Sequence, residues 1–266
     1  MKQLLFILLT GFVLSSSVQA TPSAKDNLLI FNTQEFRPFT YMENNRVSGP
    51  ATEIVTRICR QAQIDCRINL MGWPDALQEA KDGKVNGLFV IGWNEKRSQW
   101  LYYSLPVIRG EYGFFTNQAL PREPRTLNGY ANHNVGVYGP SNLASSLEKI
   151  QKAMPTMQIS MFKDDTFAFQ KLSEGTLDSV YSNRDVGYAL IGDLGLTNLR
   201  YSMTQKPLNY YIGFVKKSTS RKLANRFNHA LKLIYGSGEA QAILERFQLE
   251  SIMQPASPQS NTLSQN

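Results

Sequence analysis

Arg97 lies in a loop after a continuous apolar run, two residues beyond Glu95, and the turn Gly139-Pro140-Ser141-Asn142 follows a second apolar run. Both features suit the holding of an anion better than the breaking of a bond. A planar guanidinium grips a carboxylate through two parallel hydrogen bonds. A turn that opens a helix aims backbone N–H groups outward, and here the Ser141 hydroxyl stands beside them. Each feature also has a plainer use: Arg97 can pair with Glu95 or a backbone carbonyl on the surface, and Ser141 or Asn142 can simply cap the helix. Groups for catalysis are scarce. The chain has two histidines: His133, read as an exposed residue of an Asn-His-Asn loop, and His229, off the apolar face of a helical pattern. They are too few for a metal cluster, and no G-x-S-x-G elbow is present. Asp164-Asp165 precede a helical pattern and fit capping better than acid–base work. The expectation is binding without chemistry and without a cofactor.

The formal charge is +7, with 28 Lys and Arg against 21 Asp and Glu. The basic residues are scattered singly and in pairs such as Lys216-Lys217, so they read as a solvated surface and not as a nucleic-acid stripe. Residues 1–20 carry one Lys, an apolar run and the ending Val18-Gln19-Ala20, the grammar of a cleaved secretory signal peptide. A cut after Ala20 removes only Lys2 from the charge count, leaving 27 against 21, or +6. The expected location is therefore the periplasm, an oxidising compartment where two cysteines tend to pair. Cys59 falls on the inward face of an amphipathic helix, and Cys66 opens the next strand. The turn between them can bring the two sulfurs together, with two unpaired core thiols as the alternative.

Apolar runs with strand character alternate with helical patterns. Strands are expected at Leu28 to Thr33, Cys66 to Leu70 and Val85 to Ile91, separated by helices over residues 51–62 and Trp73 to Lys81. Residues 34–49 read as a loop. A continuous apolar run such as Val85 to Ile91 suits a strand covered on both faces, and strand–helix alternation implies a parallel sheet with right-handed crossovers. After the aromatic stretch from Gly110 the pattern repeats: strands at Val135 to Tyr138, Met157 to Phe162 and Leu177 to Tyr181, helices from Leu143 and from Thr166. It then changes back, with a strand at Asn209 to Val215, a long helix from Leu223 to Ile234 and a short one around Gln241 to Phe247. The expectation is an α/β chain of two lobes, the first from residues 27–110 and 207–250, the second, 111–206, inserted in it. Residues 251–266, rich in Ser, Gln, Asn and Pro, are expected to be a disordered tail.

Across nearly all of the mature length the chain resembles the amino-acid-type (family 3) extracellular solute-binding proteins of bacteria, the periplasmic receptors for polar amino acids. The resemblance is carried by Arg37-Pro38-Phe39 after the first strand, the cysteine pair, and Trp73 seven residues beyond Cys66. It continues through LQEAKDGKVNG, the EKR of Glu95 to Arg97, YSLPV, Val135 to Val137 before a tight turn, and LSEGTLDSVYSN. It implies a two-lobed periplasmic-binding-protein-like fold (type II) hinged on two crossover strands near residues 110–116 and 206–211. It implies a small-molecule ligand, Arg97 on the ligand's α-carboxylate, aromatics Phe36, Phe39 and Trp73 around its side chain, and Ser141 and Asn183 at positions of ligand contact. A monomer delivering its ligand to an inner-membrane ABC permease is the implied role, and a free-standing sensory protein is the alternative.

Two departures from the family pattern bear on the ligand. Amino-acid receptors of this type commonly place Ser or Thr before the Arg and an Asp at the strand end to hold an α-ammonium. Here the segment before Arg97 is Phe89 to Asn94, one residue shorter, which puts Gly92 and Trp93 in doubt as ligand contacts. The Asp position is taken by Asn183, which supplies no countercharge to a buried ammonium. Asp185 is the nearest carboxylate that could replace it.

Overall fold

The computed structural model describes residues 28–120 and 123–250; the expected signal peptide and tail lie outside them. The first strand, β1 (Leu28–Thr33), leads into a short hairpin, β2 (Tyr41–Glu43) and β3 (Arg46–Ser48). Asn44 and Asn45 both take positive φ, 48° and 59°, which is how an Asn-Asn pair closes a tight hairpin. Residues 34–49 are thus not the simple loop expected. Helix α1 (Pro50–Gln61) starts with Pro at its first turn and buries Ile54, Val55, Ile58 and Cys59. Cys59 is bonded to Cys66 with the Cα atoms 6.2 Å apart, which ties the end of α1 to the start of β4 (Asp65–Leu70).

Helix α2 (Trp73–Asp82) ends at Gly83 in the left-handed conformation, a common helix stop. The next strand, β5 (Gly87–Gly92), is buried along almost its whole length, as its unbroken apolar run requires. A short helix, α3 (Glu95–Ser98), and strand β6 (Leu101–Tyr103) complete this part of the chain. Strands β4, β1 and β5 pair in parallel.

The long strand β7 (Ile108–Asn117) occupies the aromatic stretch where the family resemblance implies a crossover strand. Beyond it lie β8 (Asn134–Tyr138), α4 (Asn142–Ala153), β9 (Gln158–Phe162), α5 (Asp165–Ser173), β10 (Ser179–Asn183) and α6 (Arg184–Asp193). Strands β10, β8 and β9 pair in parallel. Helix α6 had no counterpart in the sequence reading, since Gly187 and Gly192 interrupt its apolar periodicity. The chain returns through β11 (Leu199–Val215), of which the strand expected at Asn209 to Val215 is only the end. Helices α7 (Arg221–Gly236) and α8 (Glu239–Arg246) close the described chain.

Strand β11 joins the two parallel sets. Its first part runs antiparallel to β7 from Leu199 to Tyr210, and its last part antiparallel to β5 and β6 from Tyr210 to Val215. The two crossover strands are therefore one antiparallel ribbon, locally kinked by register shifts near Tyr201 and Thr204. The close approach there requires Gly113, where a Cβ would lie 2.2 Å from the Met203 carbonyl oxygen. Each half of the sheet is covered on both faces. Helices α1, α7 and α8 cover one face of the first half through Ile54, Ile58, Phe227 and Leu231, and α2 covers the other through Ala76 and Ala80. In the second half α4 packs Leu143 and Leu147 on one face, and α5 packs Phe169 and Leu172 on the other. No helix among the described residues is long and apolar enough to cross a membrane.

Candidate functional site

All the parallel strands deliver their carboxyl ends to one cleft between the halves, the position where open α/β sheets bind ligands. A cavity of about 560 Å3 is lined from the first half by residues just after β1 and β4, namely Glu35, Phe36, Arg37 and Trp73. From the second half it is lined by Tyr138 at the end of β8 and by Lys163 to Thr166 after β9. A second cavity of about 500 Å3 lies between the loop after β5, Gly92 to Lys96, and Asn142, Ser146, Lys149 and Lys206.

The two halves meet in this cleft through Asn142. Its Oδ1 accepts from Asn94 Nδ2 at 2.8 Å, and its Nδ2 donates to the Gly92 carbonyl at 3.4 Å. That carbonyl also accepts from Arg97 Nη1 at 3.3 Å and from the Tyr103 hydroxyl at 3.4 Å. Gly92 allows this approach, since a Cβ there would lie 3.2 Å from Asn142 Nδ2 and push it by a few tenths of an ångström. The turn into this segment is set by Val90, which takes a φ of 57° opposite a register shift in β11. A β-branched residue in the left-handed region is costly, and such backbone is held where the surrounding packing dictates it.

Arg97 is half-buried in the short helix α3, whose N-cap Asn94 accepts the Arg97 backbone N–H at 2.7 Å. Its guanidinium lies 5.2 Å from the centre of the Trp73 ring. Among the described residues it has no carboxylate partner: of the two alternatives expected for a structural Arg97, the pair with Glu95 is not formed, whereas the bond to a backbone carbonyl is, at Gly92. Burial pulls its pKa below the usual arginine range, opposed by the hydroxyls of Tyr103 and Tyr112. A guanidinium stays charged nonetheless, so a desolvated cation sits here without a counterion.

The remaining predicted residues divide. Phe36 and Trp73 line the first cavity with Arg37 beside them. Phe39 has 0% exposure and lies behind Phe36, its ring 5.4 Å away, with Tyr210 at 5.3 Å on another side. It supports the aromatic wall without forming its surface. Ser141 caps α4: its Oγ accepts from Ala144 N–H at 3.0 Å and donates to the Tyr138 carbonyl at 2.8 Å. Its proton is committed to the turn, and one acceptor position remains. Asn183, 2% exposed, caps α6 by accepting from the N–H groups of Asp185 and Val186 and donates to the Tyr210 hydroxyl at 3.1 Å. Its oxygen and one of its amide N–H groups are engaged by the protein itself, and it is not among the residues lining the first cavity. Asp185 turns to Arg184, 3.1 Å away, which also binds Glu111 and Glu250. Asp185 Oδ1 is thus engaged by Arg184, while its Oδ2 is buried without a partner among the described residues.

Residues the sequence reading placed differently include His133, which is half-buried with Nδ1 3.2 Å from Ser179 Oγ, not an exposed loop residue. Burial lowers its pKa, against the pull of Asp178. Asp164 does cap α5, accepting from Thr166 N–H at 2.8 Å. Asp165 does not cap. It faces the first cavity, and nothing in an Asp-Asp pair before a helix tells which of the two will do so. Tyr138, Asn94 and Asn142 were also not singled out individually, since their roles depend on contacts across the cleft.

The family model described as bacterial extracellular solute-binding proteins, family 3, matches residues 28–250. A probable amino-acid-binding protein, YxeM of Bacillus subtilis (strain 168), is 21% identical over 251 residues, covering 90% of this chain and 92% of its own. Among solved structures, a histidine kinase sensor domain with similarity to periplasmic binding proteins superposes with a TM-score of 0.75 at 19% identity, over 85% of this chain and all of that one. The arginine-, lysine-, histidine-binding protein ArtJ from Geobacillus stearothermophilus superposes with a TM-score of 0.70 at 20% identity, over 83% of this chain and 94% of that one. At these identities the superpositions show the fold: two α/β lobes joined by crossover strands.

Proposed function

This chain belongs to the family 3 bacterial extracellular solute-binding proteins, and from that membership we propose that it captures a small, polar, carboxylate-bearing solute of the amino-acid type in the cleft between its lobes. The observation that carries the reading is Arg97. A half-buried cation without an anionic partner is unfavourable unless something supplies one, and a carboxylate entering beside Trp73 would do so with two parallel hydrogen bonds. The names of the relatives, amino-acid-binding in one case and arginine-, lysine-, histidine-binding in another, point to the same solute class.

We take residues 27–110 with 207–250 as one lobe and 111–206 as the other, closing about the β7–β11 ribbon. Phe36 and Trp73 serve as stacking surfaces, with Phe39 behind them. The protein acts after export by its signal peptide, as a monomer, and passes the solute to an ABC-type permease without altering it. The likeness to a kinase sensor domain supports a second reading, a periplasmic sensory protein that presents its closed form to a signalling partner. Permease and ATPase genes beside its own favour transport; a signalling partner that binds only the loaded form favours sensing.

A thermal-shift screen over amino acids, dipeptides, organic acids and polyamines tests the solute class. A solute at a hundred times its Kd stabilises the fold by about 2.7 kcal/mol. The reading expects hits confined to carboxylate-bearing compounds.

A further inference from the structure

Asp165 lines the first cavity with a buried carboxyl oxygen that has no partner among the described residues. It sits at the first position of α5, and that oxygen, Oδ1, exposes less than 1 Å2. Neighbouring charges do not compensate it. Glu35 and Arg37 pair with each other at 3.3 Å, Asp164 is turned to the helix end, and Lys163 forms no ion pair with it although it lines the same cavity. The same cavity is lined by the rings of Phe36, Trp73 and Tyr138, and aromatic faces attract cations. A buried polar atom without a partner costs free energy that native structures rarely leave unspent, and an aromatic-walled cavity with a free carboxyl oxygen is a place that a protonated nitrogen would fill. The carboxyl titrates at about 7, held up first by burial and then by the charge of Asp164, so a cation arriving here would draw it into the ionised form.

We propose that Asp165 is a cation anchor of the cleft: the solute presents a protonated amine or guanidinium to its carboxylate, at the end remote from the carboxylate held by Arg97. This rests on the solute-binding reading and narrows it to cationic solutes. This site is distinct from the α-ammonium position of Asn183, because an α-ammonium lies one carbon from the carboxylate on Arg97 whereas Asp165 meets the far end of the solute.

The test uses L-arginine and L-lysine, their neutral counterparts L-citrulline and L-norleucine, and agmatine, which has the guanidinium but no carboxylate. Affinities are measured by calorimetry on the wild type, Asp165→Asn and Asp165→Glu, with circular dichroism melts to confirm folding. The wild type should prefer at least one cationic amino acid over its neutral counterpart by tenfold or more. Asp165→Asn should abolish that preference while leaving the neutral compound within about twofold, and Asp165→Glu should restore much of it. A preference that survives in Asp165→Asn overturns the assignment, as does a wild type that binds neutral counterparts equally well, or that binds none of the cationic probes. Agmatine bound through Asp165 with arginine rejected would leave the anchor standing and refute the carboxylate reading. Binding of anionic or neutral amino acids alone would do the reverse.

Discussion

The guanidinium of Arg97 lies over the ring of Trp73, 5.2 Å from its centre, while one of its N–H groups reaches the Gly92 carbonyl. The two residues come from different helices, α3 and α2, and the ring holds the charge in place without neutralising it. Replacing Trp73 with Ala removes both the stacking surface and the support of Arg97. Affinity for a carboxylate-bearing solute should fall about tenfold, and Trp73→Phe should lose only part of that. Equal losses in both variants, measured by calorimetry, would show that ring size and not support of the cation is what matters.

Asn142 is the one side chain shown bonding across the cleft to both Asn94 and Gly92. Asn142→Ala should cost about 1 kcal/mol of the closed arrangement. Small-angle scattering should then show a larger radius of gyration for the variant without solute and the same radius once solute saturates it. Identical scattering in the free state would mean that these bonds do not hold the lobes together.

The Asp165 carboxyl, titrating at about 7 in the fold against an unfolded value near 3.9, makes a signed prediction for stability. Below about pH 4 both states are protonated and nothing is gained or lost. As pH rises from about 4 to 7 the unfolded chain ionises first, so the native state is progressively penalised, by a few kcal/mol at most. Asp165→Asn removes this penalty. The variant should melt at a higher temperature than wild type at pH 8 and at a similar temperature at pH 4, both measured without solute. A constant difference across that range would assign the effect to something other than ionisation. Lys163, Glu35, Arg37, Asp164 and Tyr138 also face this cavity, and only Asp165→Asn should flatten the dependence.

The Cys59–Cys66 bond closes a short loop at the corner between α1 and β4, far from the cavity lining. By the chain-entropy estimate it contributes about 2.5 kcal/mol. Reduction, or replacement of both cysteines by Ser, should lower stability by that order in denaturant melts and leave the affinity for solute unchanged. A lost affinity at full folding would tie the corner to the site.

The parallel strands could be read from the sequence because their apolar runs are local. Leu28 to Thr33 and the run ending at Ile91 need no partner to be recognised, and Cys59 shows its inward face through the spacing of Ile54, Val55 and Ile58. The crossover strands could not be read the same way. Tyr112 and Tyr201 lie in strands whose partners are some ninety residues distant, so their alternation carries no mark of pairing. In the site, Arg97 and Trp73 were legible because residue type and position coincide. Phe39 and Asn183 were not, since a buried second layer and a helix cap use the same residue types as a ligand contact. Asp165 was hidden by its neighbour: one carboxylate of the pair caps the helix, and only the orientation of the turn decides which.

The claim on which everything above depends is that Arg97 awaits an anion. Calorimetry of Arg97→Ala and Arg97→Lys with the tightest solute from the thermal-shift screen tests it directly. The account predicts a loss of about thirtyfold or more for Ala, consistent with removal of one partner of a desolvated charge pair, with little recovery for Lys, whose point charge lacks the planar fork, and with both variants folded. Unchanged affinity in Arg97→Ala would contradict it, leaving Arg97 as a structural clasp on Gly92 and the carboxylate unexplained.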